Sequence, residues 1–110
     1  MLRPGRIYPG TVVRLTIEFY DDDSQPVNPT TVALKLMSPQ GVQSTLTYGV
    51  DSDLGRPSTG NYYADVTPNE GGRWFYRWET TGSGTTLASE GDILVQYSPF
   101  VDRCYMDDYA

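Results

Sequence analysis

Side chains able to do chemistry are few in this 110-residue chain, beginning with histidine, of which there is none. Without imidazole the chain lacks the usual general base near neutral pH, the commonest metal ligand and every Ser-His or Cys-His nucleophile pair. Carboxylates remain. Glu18, Glu79 and Glu90 fall on extended-looking segments, and glycoside hydrolysis needs two acids set across a cleft, which a domain this small seldom provides. Cys104, the single cysteine, follows Arg103; a neighbouring cation lowers a thiol pKa, but the plainer reading is an idle thiol near the chain's end. Asp21, Asp22 and Asp23 form one acidic turn, and Asp51 with Asp53 another. If the two turns meet at one end of the domain, Asp21, Asp23, Asp51 and Asp53 are the candidate oxygen ligands for calcium. EF-hand spacing is missing and acidic residues are ordinary in solvated turns, so the expectation is no catalytic residue, no cofactor and no metal.

What must position such residues is a set of strands. Val13, Leu15, Ile17 and Phe19 alternate with Arg14, Thr16 and Glu18, the period-two pattern of a half-buried strand. Turn-forming residues follow, and Val32, Leu34 and Leu36 repeat the pattern. Pro39-Gln40-Gly41 then turns the chain into Val42, Ser44, Leu46 and Tyr48, which predicts an antiparallel hairpin. Residues 49–59 hold little apolar material and read as a long exposed connection. Tyr62, Ala64 and Val66 precede Pro68, and Trp74, Tyr76 and Trp78 follow Gly71-Gly72, which reads as a second, aromatic hairpin. Ile93, Val95 and Tyr97 make a last strand before Ser98-Pro99. The pattern predicts an all-β, antiparallel sandwich of about seven strands over residues 12–98, with an N-terminal arm at 1–11 and a tail at 99–110.

Composition agrees with that class and narrows the partners. Eleven glycines and eight prolines supply turns, and nine tyrosines suit pleated, half-buried surfaces. A lone cysteine leaves the fold to packing without a disulfide, as befits synthesis in a reducing cytoplasm. No stretch approaches the ~18 apolar residues that cross a bilayer, and the start lacks the apolar stretch of a secretion signal. A net charge of −6 opposes phosphate-backbone binding. Neither nucleic acid nor membrane is expected as a partner.

Binding surfaces are sought where apolar residues break phase. Trp74, Tyr76 and Trp78 share a face that continues the core phase of their neighbours and read as packing, not as a carbohydrate platform. Tyr63, Phe75 and Leu94 fall on the opposite faces of their strands and, if exposed together, form an interface. The ends add Leu2, Ile7 and Tyr8 before the first strand and Phe100, Tyr105 and Tyr109 after the last, more apolar surface than a solvating tail needs.

Two resemblances extend this reading. Ser58-Thr59-Gly60-Asn61-Tyr62-Tyr63-Ala64 resembles the tyrosine-corner strand of immunoglobulin-like domains, with Ser58 where Asp is common and Ala64 where antibody domains carry cysteine. The succession of Tyr8-Pro9-Gly10, Asn28-Pro29-Thr30-Thr31, Ser38-Pro39-Gln40-Gly41, Gly60-Asn61-Tyr62, Pro68-Asn69-Glu70-Gly71-Gly72-Arg73-Trp74 and Glu90-Gly91 resembles small immunoglobulin-like proteins of tailed bacteriophages and prophages, over nearly the whole chain. The resemblance implies a non-enzymatic virion structural protein, such as a capsid decoration or head-tail subunit, made in the bacterial host cytoplasm. Its implied partners are coat, portal, neck or tail proteins, or further copies of itself. A host-surface or carbohydrate-binding module using residues 51–57 and exposed tyrosines is the alternative; an assembly factor missing from the finished particle is a second.

Overall fold

The computed structural model describes residues 7–82 and 87–101 of the chain. Seven strands form, all placed by apolar alternation or by pairing to a neighbour that alternates: β1 (Val13–Glu18), β2 (Thr31–Met37), β3 (Gln43–Thr47), β4 (Leu54–Ser58), β5 (Asn61–Val66), β6 (Gly72–Thr81) and β7 (Leu87–Val95). They make two antiparallel sheets, one of three strands in the order β1-β5-β4 and one of four in the order β3-β2-β6-β7. The chain is thus an all-β sandwich with immunoglobulin-like strand order, held without a disulfide.

Three pairs of consecutive strands stay within a sheet: β2–β3, β4–β5 and β6–β7. The other connections, β1 to β2, β3 to β4 and β5 to β6, pass from one sheet to the other. The core lies between the sheets, where Val32, Leu34, Trp74, Trp78, Ile93 and Val95 of the larger sheet meet Leu54, Tyr62, Ala64 and Val66 of the smaller. Phe19 and Tyr48 close one side of it, each meeting Tyr62 edge-to-face with ring centroids 5.6 Å and 5.3 Å away. Such pairs add to the burial of the rings themselves.

Two expectations are overturned. Residues 49–59 are not a long exposed connection, because they contain β4, whose Leu54 opposes Ala64 and is only 3% exposed. Leu-Gly-Arg-Pro-Ser carries one apolar residue and a register shift between Gly55 and Ser58, so no alternation advertises the strand. Nor do β5 and β6 form a hairpin. β5 pairs with β1 and β4, while β6 pairs with β2 and β7 in the opposite sheet.

That crossover also relocates the corner motif. In immunoglobulin-like sandwiches the corner tyrosine opens the strand after the sheet-to-sheet passage and bonds back to backbone upstream. Here the strand after the passage is β6, not β5, and the bond is made by a tryptophan: Trp74 Nε1 donates to the Glu70 carbonyl at 3.0 Å. The motif is therefore carried by Glu70, Gly72 and Trp74, and Tyr62 is an ordinary core aromatic of β5.

Candidate functional site

The outer face of the four-stranded sheet is where exposed apolar and charged side chains converge. In register across β2, β6 and β7, successive rows read Ala33/Glu79/Ala88, then Lys35/Arg77/Glu90, then Met37/Phe75/Asp92, with Arg73/Leu94 beyond on β6 and β7. All these residues are out of phase with Val32, Leu34, Trp74, Trp78 and Ile93, which is why they face outward. Phe75 is 47% exposed and Leu94 54%. They stand diagonally across the β6–β7 pair, within reach of one another for side chains of their length. An open depression of about 440 Å³ lies at Phe75, with Met37, Gln43, Lys35, Arg77 and Glu90 around it.

Ion pairs brace this face. Arg77 bonds Glu79 at 2.7 Å and Glu90 at 2.6 Å, Lys35 reaches Glu79 at 3.2 Å, and Arg73 pairs with Asp92. Hydrogen bonds from Arg77 and Lys35 hold the Glu79 carboxyl below its ordinary range; partial desolvation opposes them and their Coulomb attraction adds. On the opposite sheet Arg14 makes a two-pronged contact with Asp65, both bonds 2.8 Å, and these bonds likewise lower the Asp65 carboxyl.

The sign of the pH effect follows. A carboxyl whose folded pKa is depressed contributes stability above its unfolded pKa, and that contribution disappears as pH falls through the folded value. Asp65→Asn combined with Glu79→Gln is therefore expected to flatten the acid limb of melting temperature against pH, with the two curves closest at the lowest pH. The pairs are exposed, so the difference at neutral pH is small. Identical acid limbs for the parent and the double variant would sink the assignment.

The structure separates several residues that the sequence grouped. Phe75 and Leu94 come together, but Tyr63 lies on the other sheet, with its ring over Gly55 and the Arg14 guanidinium stacked 3.9 Å from its centroid. Ile7 is no free contact: it bridges Val95, its carbonyl accepts the Gln96 N–H at 2.7 Å, and its side chain packs on the core. Tyr8 is exposed beside it, and Phe100 is 90% exposed. Leu2, Tyr105 and Tyr109 lie outside the described residues, as does Cys104. Tyr8 belongs to the end of the sandwich where the Gly10 N–H meets the Pro68 carbonyl and Gln40 bonds Glu70, and Phe100 follows Tyr97, which packs against Gly71 there.

The acidic turns have local roles. Asp21 Oδ1 accepts the backbone N–H groups of Asp23 and Gln25, both at 2.9 Å, and Asp51 Oδ2 accepts the Thr47 N–H at 2.8 Å. These carboxylates brace their own turns in the manner usual for Asp. Among the described residues no group of three acidic or sulfur side chains is assembled that could hold an ion. Glu79 and Glu90, singled out as strand-borne acids, are engaged by Lys35 and Arg77, but their place in a ladder with Arg73 and Asp92 could not be read from the sequence, because cross-strand partners depend on register. The available signal was charge recurring at period two in Arg73, Arg77 and Glu79.

Neither a known protein family nor a curated protein matches the chain. Among solved structures it is similar to the chitinase ChiW from Paenibacillus sp. str. FPU-7, a bacterial cell-surface-expressed multi-modular enzyme machinery, with a TM-score of 0.60 and 24% identity. The match covers 83% of this chain but 8% of the chitinase, so the chain corresponds to one small module of a far longer protein. At that identity the likeness carries the fold: a β-sandwich domain.

Proposed function

We propose that the chain is a non-enzymatic module that works by surface contact, as an accessory subunit of a bacteriophage particle. The observation that carries the mode of action is the outer face of the four-stranded sheet, where Phe75 and Leu94 stand exposed among side chains joined in ion pairs. Exposed apolar residues framed by polar groups are the anatomy of a protein contact. Tyr8 and Phe100 give the end of the sandwich a second apolar surface, suited to assembled coat or neck proteins. The virion setting rests on the resemblance of the succession of turn phrases, from Tyr8-Pro9-Gly10 to Glu90-Gly91, to small proteins of tailed bacteriophages.

Mass analysis of purified particles tests the setting. The chain is expected at a fixed ratio to the coat protein, and a Tyr8→Ser, Phe100→Ser double variant is expected to lose about tenfold or more in occupancy, as removal of aromatic anchors does. A chain missing from particles, or full occupancy by the double variant, would count against it.

A second reading has one specific observation in its favour. Phe75 is flanked by Gln43, Lys35 and Glu90 around the open depression, an aromatic surface with hydrogen-bonding neighbours such as glycans use, on a fold shared with a module of a chitinase. Residues 51–57, the loop first associated with that reading, are largely taken up by β4. Retention on polysaccharide, lost on changing Phe75, would favour it.

A further inference from the structure

The outer face of the four-stranded sheet is electrically unlike the rest of the molecule. The chain carries −6 overall, and Asp21, Asp22, Asp23, Asp51 and Asp53 concentrate acid in the turns. On this face, however, Lys35, Arg73 and Arg77 balance Glu79, Glu90 and Asp92, and every one of the six is engaged with a neighbour of opposite sign. A basic partner would be recognised by free acids and an acidic one by free cations, and the ladder presents neither. What it suits is a partner whose contacting face is itself balanced in charge, with apolar residues set among paired ions.

We propose that the occupant of this face is a second copy of the chain, the two sheets packing face to face about a two-fold axis. This deepens the reading above and rests on it, since it takes the module to work by surface. Two chains of charge −6 repel, and a balanced face lets them meet with the acidic turns at the periphery, where salt screens them. A two-fold contact must be self-complementary. The face supplies both parts, a projecting Phe75 and the open depression beside it, so each copy's ring can enter the other's depression.

Size bounds the contact. Four strands about 4.8 Å apart, each about seven residues at ~3.3 Å, give a plan area of roughly 450 Å² per copy, and side-chain relief raises the buried total to roughly 1,200 Å². That is the lower limit of stable interfaces, and with Phe75 and Leu94 as its only large exposed apolar anchors among the described residues the contact is expected to be weak, on the order of micromolar. Repetition on an assembled particle would multiply such a contact.

Sedimentation equilibrium of the full chain from about 1 to about 500 µM, a span centred on such affinities, reads the proposal directly. The wild-type mass is expected to rise from 12.3 kDa toward twice that value. Phe75→Thr and Leu94→Thr keep strand propensity and neutrality, and each is expected to raise the dissociation constant about tenfold or more. Val50→Thr, an exposed residue of the β3–β4 connection, should associate like wild type. Circular dichroism checks folding, and if one face variant is unfolded the other decides. A single-chain mass throughout the range, or association unchanged in both face variants, overturns the contact. The measurement needs no particle: a chain that dimerises but is missing from virions keeps this contact and loses only the particle setting, whereas a particle-bound monomer loses only the contact.

Discussion

Trp78→Ala is expected to lower the stability of the domain by about 3–5 kcal/mol, the usual cost of removing a buried tryptophan. Trp78 is 2% exposed, opposes Leu34 on β2 and sits at the centre of the inner face of β6. Its neighbours belong to a sheet pinned on both sides of β6 by β2 and β7, so they can relax only partly into the space left behind. Domains of this size are stable by ~5–15 kcal/mol, and the loss is therefore a large share of the total. Urea titration measures it as a lower midpoint at unchanged slope. A loss under about 1 kcal/mol would mean that the core does not centre on Trp78.

The second large effect is at Gly60, which sits at φ +80° between β4 and β5. Its N–H donates to Asn28 Oδ1 at 2.8 Å and its carbonyl accepts from the Phe19 N–H at 2.8 Å, so the turn is tied to the strand end and to the β1–β2 connection. A Cβ here would stand 2.7 Å from the Phe19 carbonyl oxygen, a backbone atom that accepts the Val27 N–H at 3.1 Å and cannot move without breaking that bond. Gly60→Ala thus combines the ~1–2 kcal/mol cost of a left-handed alanine with a steric clash. Gly49 is a built-in comparison: φ is +89°, yet nothing lies within 4 Å of its Cβ position. Gly49→Ala should cost only the backbone term, and the difference between the two melting curves isolates the clash. Equal losses would show that the Phe19 contact is unimportant.

Much of the fold was legible because alternation reports which face a residue takes. It placed β1, β2, β3, β5 and β6, and it correctly assigned Trp74 and Trp78 to the core and Phe75 and Leu94 to the outside. Alternation does not report partners. Tyr62 and Trp74 are both inward, but in a sandwich the inner faces of two different sheets look alike from the sequence, and the five residues between β5 and β6 served equally for a turn or a crossing. β4 was hidden because its place is set by β5, not by its own composition. The apolar half of the candidate site could be read from phase. The charged half could not, since Arg77 meets Glu90 only once β6 and β7 are in register.

The three passages between sheets also govern when the chain can fold. Among the described residues β1 pairs with β5 alone, from Glu18 opposite Asn61 to Val13 opposite Val66, so its partner is made some 43 to 53 residues later. At about 5–20 residues per second of synthesis, β1 waits several seconds with Val13, Leu15 and Ile17 unmatched. The β2–β3 turn closes locally and at once, whereas the smaller sheet forms only after β4 and β5 arrive. Such non-local pairing places folding in the millisecond-to-second range. The smaller sheet is complete once β5 is made and the larger one only after β6 and β7, so β1, which has no partner beside it in the chain, is the strand through which a nascent chain is most exposed to error.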